Sequence, residues 1–298
     1  MGSRATATPE AARSTARRTG AAGSLPGAVV RRFLDADGTS HTRALAYETI
    51  LISLSGFLGL IGLASVLGIE QVRVTVQHMA ATMSPGPSGK LLEQAARQGA
   101  TSGTAAAVFG LLAALGAGTL AMAQVERSAN RLAGVADRPA ARRFVRAFAL
   151  AVSAGLLLAT GATLLAGGAA LASGFGWRDT AISVWSVARW PLGVLVVSAA
   201  IWLLFRSAPR REIRPPRALW TAIGVAVVLW VLFTGGLALY LSIGGGSTYG
   251  PLMAVVALLL WSLLTSLALH LGLSVGYELR SRAEPGTVRL PDSQTLPT

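Results

Sequence analysis

Residues 206–243 read RSAPRREIRPPRALWTAIGVAVVLWVLFTGGLALYLSI. Five arginines fall within the first twelve residues, and the 26 residues that follow carry no charged side chain. A helix needs roughly 20 mostly apolar residues to cross the hydrocarbon core of a bilayer, which is about 30 Å thick. An arginine-rich segment that leads directly into such a run is therefore typical of a loop followed by a membrane-spanning helix.

Five other runs of the chain share this apolar character, and the run at 190–205 is the shortest. Hydrophobic residues make up 52% of the sequence and charged residues only 13%, whereas soluble domains carry about 25% charged residues. The sequence therefore predicts an all-α, polytopic membrane protein with six transmembrane helices. The predicted spans are 44–67, 102–123, 145–172, 190–205, 218–243 and 252–277.

Basic residues are distributed unevenly between these runs. Twenty-one of the 26 Lys and Arg residues lie in the N-terminal segment, the second gap, the fourth gap and the C-terminal tail. Because basic segments stay on the cytoplasmic side of a membrane, we expect a multi-pass protein with both termini cytoplasmic. A net charge of +13 is also found in nucleic-acid-binding proteins. Here the basic residues occupy short segments between apolar runs, which favours anionic lipid headgroups at the cytoplasmic face as partners and predicts no nucleic acid.

Composition divides the chain into three parts. Residues 1–25 are predicted to be a disordered basic cytoplasmic tail, 26–282 a six-span membrane domain, and 283–298 a second disordered cytoplasmic tail. Residues 26–35 can form a short interfacial helix, with apolar side chains on one side and Arg31 and Arg32 on the other. In the first outside loop, about 69–100, apolar residues at helical spacing on both sides of a Pro-Gly-Pro predict a helical hairpin. The alternation of valines at the start of that loop leaves a strand as the alternative.

Small residues recur at four-residue spacing in two of the predicted spans. Gly110, Ala114 and Gly118 form one stripe, and Ala151, Gly155 and Ala159 form another. Small side chains allow helices to approach closely in lipid. We expect these stripes to pack helices within one chain, with assembly into a homo-oligomer as the alternative.

The sequence lacks the common motifs of catalytic sites. It contains no cysteine, no metal-binding histidine motif, no Gly-rich phosphate loop and no nucleophile elbow. The predicted topology places His41 inside, His78 outside and His270 within the last span, so we expect no metal site that joins them. The sequence therefore predicts a non-enzymatic protein with no catalytic residue, no metal and no cofactor.

Ionisable residues within the predicted spans are the remaining candidates for a functional role. Glu48, Glu126 and Arg127 lie near the predicted cytoplasmic ends of the spans, where long side chains can reach water. His270 lies about two-thirds of the way along the last span and is expected to pack as a neutral, hydrogen-bonded histidine. The alternative is that these groups line a polar path through the membrane.

Several short segments resemble those of a known family. Residues 43–47 read RALAY, residues 126–135 read ERSANRLAGV, and residues 249–254 read YGPLMA. With Pro209 and its following arginines, these segments resemble the YihY/virulence factor BrkB family of bacterial inner-membrane proteins, once labelled ribonuclease BN. The residues that carry the resemblance are Tyr47, Glu126, Arg127, Asn130, Arg131, Pro209, Tyr249, Gly250, Trp261 and Gly272. Glu48 stands where the family usually has an aromatic residue.

The resemblance implies six spans, cytoplasmic termini in the bacterial plasma membrane and a role in the cell envelope. We therefore expect a non-enzymatic protein that supports envelope integrity or handles a lipid or an envelope precursor. The first alternative is a transporter or channel for a small solute or lipid that uses the intramembrane Glu and His residues. A membrane-bound nuclease is the third hypothesis, and the residues support it least.

Overall fold

The computed structural model of the protein describes residues 24–68, 103–174, 179–244 and 250–283. The two predicted tails lie almost wholly outside these ranges. The predicted hairpin at 69–100, with His78, and the family residue Tyr249 also lie outside them.

Seven helices form the described part of the chain, and six of them are long and apolar enough to cross a membrane. The prediction of an all-α protein with six spans is confirmed. The helices run past the predicted spans at most ends; α5, for example, contains the shortest predicted run and carries Pro191 inside it. The elements are α1 Leu25–Asp35, α2 Gly38–Val66, α3 Gly103–Leu132, α4 Ala140–Gly174, α5 Asp179–Ser207, α6 Pro216–Gly244 and α7 Gly250–Ala283.

The six long helices pack in chain order, from α2 against α3 through to α6 against α7. Helix α7 then packs back against α2 and also touches α3, so the contacts close into a ring. Large apolar side chains such as Phe109, Trp190 and Leu232 remain exposed on the outside of the ring. A surface of this kind suits hydrocarbon rather than water, because lipid tails are as apolar as the side chains they meet.

Glycines set the distance between α2 and α3. A Cβ added to Gly62 would lie 2.2 Å from the backbone nitrogen of Ala107, and one added to Gly110 would lie 2.3 Å from the nitrogen of Gly59. These contacts confirm the intrachain packing expected for Gly110. At Gly155 an added Cβ meets nothing within 4 Å, so the second predicted stripe is not a close helix contact at its centre.

The short helix at the start of the membrane domain is present as α1, but its faces differ from the prediction. Val29 and Phe33 are buried, whereas Val30 and Leu34 are exposed. Arg32 does not lie on an outer polar side: it donates hydrogen bonds to Glu278 at 3.1 Å, to the carbonyl of Leu132 at 3.1 Å and to the Ser281 hydroxyl at 2.9 Å. Helix α1 is therefore fastened to the ends of α3 and α7 by an arginine.

Candidate functional site

Polar side chains meet inside the ring where α2, α3 and α7 come together. We call His41, Gln124, Ser266 and His270 the interior polar cluster. The side-chain amide nitrogen of Gln124 lies 2.6 Å from His41 Nδ1. The rings of His41 and His270 are nearly parallel, with centroids 6.4 Å apart. All four residues are buried.

The predicted topology placed His41 inside and His270 within the last span, and the structure brings their two rings together. Helix α2 begins at Gly38, six residues before the predicted span, so His41 lies inside the first turn of a helix and not in a loop. Because α7 packs back against α2, the two rings reach each other from opposite ends of the chain. The lengths of the apolar runs do not indicate that α7 packs against α2.

The hydrogen bonds fix which ring nitrogens carry protons in the neutral histidines. An amide N–H donates only, so His41 Nδ1 accepts from Gln124 and the His41 proton lies on Nε2. A carbonyl oxygen accepts only, so His270 Nδ1 donates to Ser266 and its Nε2 is the acceptor. Both Nε2 atoms are buried without a partner among the described residues. The cluster therefore presents one free donor and one free acceptor.

Glu48 and Arg127 lie beside this cluster. Arg127 is within electrostatic range of both His41 and Glu48. Glu48 Oε2 and Arg127 Nε are also buried without a hydrogen-bond partner among the described residues. Arg127 therefore links Glu48 to His41 of the cluster, a residue that the sequence did not indicate as a candidate.

Glu126 belongs to a different set of contacts at the arginine-rich end of the ring. Its side chain is only 1% exposed and accepts a 2.6 Å hydrogen bond from Arg138, whose side chain is 16% exposed. Arg138 also donates to the carbonyls of Ala208 and Pro209 at 3.3 and 3.5 Å. Glu126 therefore does not extend to water. Its ion pair joins α3 to the α3–α4 loop, and the carbonyl bonds of Arg138 join that loop to the α5–α6 loop.

Asn130 lies one helical turn after Glu126 and joins the same two loops. Its amide nitrogen donates to Asp137 at 3.1 Å, and its amide oxygen accepts from the backbone N–H of Arg210 at 3.0 Å. We call Glu126, Asn130, Asp137, Arg138 and Arg210 the loop clasp. Arg131 points elsewhere and lies 3.8 Å from Asp37 at the start of α2. Glu126 and Asn130 are therefore anchoring residues of the fold.

The other residues that carry the family resemblance lie outside the interior polar cluster and the loop clasp as these are defined above. Pro209 is buried under the loop clasp, and Trp261 is half-buried. Gly272 allows α7 to approach α6, since an added Cβ would lie 2.7 Å from the Cβ of Ala226. Tyr47 is exposed on α2, and Gly250 is the first residue of α7.

The end of α7 is held by contacts that the sequence did not reveal. Tyr277 donates to the carbonyl of Arg211 at 2.9 Å. In the same loop Glu212 accepts from Arg206 at 2.8 Å and from Arg214 at 3.0 Å. The guanidinium groups of Arg214 and Arg206 hold the pKa of the Glu212 carboxyl below its usual value. The excess of arginine was readable in the sequence, but the choice of partners was not.

A groove opens beside the loop clasp, with a volume of about 540 Å³. Two of its arginines are fixed by carbonyl groups: Arg146 donates to Ser207 at 2.6 Å, and Arg210 donates to Ala136 at 3.2 Å. In the ranges that the structure describes, no three His, Asp or Glu residues are grouped so that they could hold a metal ion. We call this surface the arginine groove, and it is lined by Arg138, Pro139, Ala141, Arg142, Val145, Arg146 and Arg210.

Six membrane-length helices in a closed ring, with polar groups buried inside it, define a multi-pass α-helical membrane protein. Comparison with protein families identifies the family to which the chain belongs. The model of the family described as Virulence factor BrkB matches residues 29–296, and the chain belongs to that family. The family resemblance read from the sequence is confirmed.

Among individual proteins, the chain is similar to the ribonuclease-like protein YfkH of Bacillus subtilis (strain 168). The two are 26% identical over 201 residues, which cover 62% of this chain and 67% of YfkH. No solved structure matches the chain.

Proposed function

We propose that this protein is a non-enzymatic component of the bacterial plasma membrane that supports envelope integrity by binding anionic lipids or lipid-borne precursors. The arginine groove is the observation that carries the proposal. It combines four guanidinium groups with an open cavity at the end of a membrane-length helix. Guanidinium groups bind phosphate through paired, charge-assisted hydrogen bonds.

The groove faces the cytoplasm under this proposal. The loops that form it belong to the basic segments of the chain, and basic segments remain on the cytoplasmic side. Both termini then lie in the cytoplasm, since an even number of spans separates them. Anionic lipids of the inner leaflet attract basic side chains by about 1 kcal/mol for each Lys or Arg near the surface.

The non-enzymatic part of the proposal rests on the sequence, which carries no metal-binding histidine motif and no nucleophile elbow. YfkH is named as a ribonuclease-like protein, and that name gives no evidence of nuclease activity in this chain. Incubation of the purified chain with RNA and divalent metal ions tests the point. Cleavage that a single substitution abolishes would overturn this part of the proposal.

Deletion of the gene, followed by complementation, tests the role in the envelope. We expect the deletion to raise permeability to a dye and sensitivity to detergent, and the wild-type chain to restore both. The variant Arg142→Gln/Arg146→Gln should not restore them. A matched variant, Arg31→Gln/Arg217→Gln, removes two exposed arginines outside the groove and should restore them. Normal permeability in the deletion strain under all stresses would refute the role.

A transporter is the second candidate, and the interior polar cluster favours it. Buried polar atoms without partners are costly inside a membrane protein, so they indicate a place that a polar solute or water can occupy. Purified protein in liposomes should then show flux of a solute that Glu48→Gln or His270→Gln reduces. Flux that is absent, or equal in both variants and the wild type, would exclude this candidate.

A further inference from the structure

The arginine groove carries more positive charge than a headgroup with one negative charge would balance. Four guanidinium groups line it, and one of them, on Arg138, is paired with the Glu126 carboxylate. Subtracting that carboxylate from the four leaves three positive charges. Asp137 is close by, but it lies 3.8 Å from Arg143 outside the lining and accepts from Asn130. The positive charge of Arg143 offsets the Asp137 carboxylate, so this pair leaves the net charge of the groove unchanged.

Donors remain available on these arginines. A guanidinium has five N–H groups, while the side chains of Arg146 and Arg210 each donate one hydrogen bond to a carbonyl of the facing loop. Arg142 is exposed, and its side chain has no hydrogen-bond partner among the described residues. The carbonyl bonds hold Arg146 and Arg210 in place, so ordering these two side chains around a ligand costs little.

The start of α4 adds to this field. Helix α4 begins at Ala140, and its first turn forms part of the lining. The first backbone hydrogen bond within this turn runs from the N–H of Arg143 to the carbonyl of Pro139. The N–H groups of the preceding helical residues have no partner in the helix, and they carry the positive end of its dipole. Such an end favours phosphate.

The depth of the groove matches the position of a lipid headgroup. The membrane-length part of α4 starts at Ala140, so the groove lies where the apolar span begins. Val145, which lines the groove, is 70% exposed, and Phe148 and Leu156 continue an exposed apolar surface along the same helix. A phosphate in the groove would therefore place attached hydrocarbon chains along α4.

We propose that the arginine groove binds a lipid whose headgroup ends in a phosphomonoester or a diphosphate. This inference rests on the proposed function and names the class of lipid. A headgroup with a single phosphodiester carries one negative charge from it, whereas a phosphomonoester carries up to two and a lipid diphosphate up to three. Only the last two classes approach the charge of the groove, and each extra charge gains a further charge-assisted contact.

The test measures binding of defined lipids to the full-length protein in detergent by native mass spectrometry. The probes are dioleoyl phosphatidic acid, dioleoyl phosphatidylglycerol with the same acyl chains, and a polyprenyl diphosphate. We expect the phosphatidic acid and the diphosphate to bind at least about tenfold more tightly than phosphatidylglycerol. Arg142→Gln alone should weaken binding of both by about tenfold, and Arg31→Gln should leave it within about twofold.

Arg142 donates to no acceptor within the described part of the chain, so its replacement is not expected to disturb the fold. Inorganic phosphate and pyrophosphate, added alone and as competitors, distinguish a lipid from a soluble phosphate. If pyrophosphate binds as tightly as the lipid diphosphate, the attached lipid is irrelevant and the lipid assignment is overturned.

The two proposals fail in different ways. If phosphatidylglycerol binds as tightly as phosphatidic acid, and Arg142→Gln weakens both, the groove binds lipid but the preference for phosphomonoesters and diphosphates is refuted. If no lipid binds in preference to phosphatidylcholine, or if Arg142→Gln and Arg31→Gln behave alike, the proposed function fails with it.

Discussion

Replacing Glu126 by glutamine tests whether the loop clasp stabilises the protein. The substitution keeps the shape of the side chain but leaves the guanidinium of Arg138 with a neutral partner at a buried position. Removing one member of a buried ion pair costs roughly 3–5 kcal/mol, because the remaining charge is left without compensation. We expect about 3 kcal/mol here, since glutamine can still accept one hydrogen bond and Arg138 keeps its bonds to two carbonyls.

Thermal unfolding in detergent micelles at a fixed scan rate measures this loss. A change of 1 kcal/mol shifts the Tm of a 150–250-residue protein by about 2–4 °C, so Glu126→Gln should lower the Tm by about 6–12 °C. The matched control is Glu212→Gln, the same change in an exposed glutamate of the neighbouring loop. Exposed ion pairs contribute little, so the control should lower the Tm by only about 1–2 °C at pH 7.

A double variant separates the ion pair from the two side chains. Glu126→Gln with Arg138→Met removes both charges, so its loss should be smaller than the sum of the two single losses by at least about 1 kcal/mol. A Glu126→Gln protein within 2 °C of the wild type, or strictly additive losses, would refute the view that the buried Glu126–Arg138 pair stabilises the loop clasp.

Three further predictions concern the helix contact, the loop and the interior polar cluster. Gly62→Ala should destabilise the protein by about 1–3 kcal/mol, because the new Cβ meets backbone of α3 at 2.2 Å; Gly116→Ala, where an added Cβ meets nothing within 4 Å, should not lower the Tm. The contribution of Glu212, taken as the Tm difference between wild type and Glu212→Gln, should be constant from pH 7 to about the ordinary value of 4.5 and disappear below it, because its pKa is lowered in the folded protein; a difference that vanishes above pH 4.5 would contradict this. In ¹⁵N NMR spectra His41 should show a protonated Nε2 and an unprotonated Nδ1; Gln124→Leu should mix the two tautomers, and an unchanged spectrum would show that the amide does not hold the ring.

Much of the fold was readable because a bilayer imposes a simple rule on sequence. Each span needs about 20 apolar residues whatever its neighbours are, and arginine-rich segments mark alternate gaps. Residues 218–243 predict a membrane span by their apolar length alone. Gly110 predicts a close contact between helices, because only small side chains permit close approach. The helix ends were less accurate, since polar residues such as His41 continue a helix without continuing an apolar run.

Tertiary structure alone decided which polar groups meet. The sequence offered Glu126 and His270 together as ionisable candidates, but closure of the ring separates them, with Glu126 in the loop clasp and His270 in the interior polar cluster. Arg138 pairs with Glu126, among so many arginines, because its loop folds back on α3 and the α5–α6 loop also binds its guanidinium. Run length and charge are properties of a segment, whereas an ion pair or a stacked ring depends on distances between segments that only packing sets.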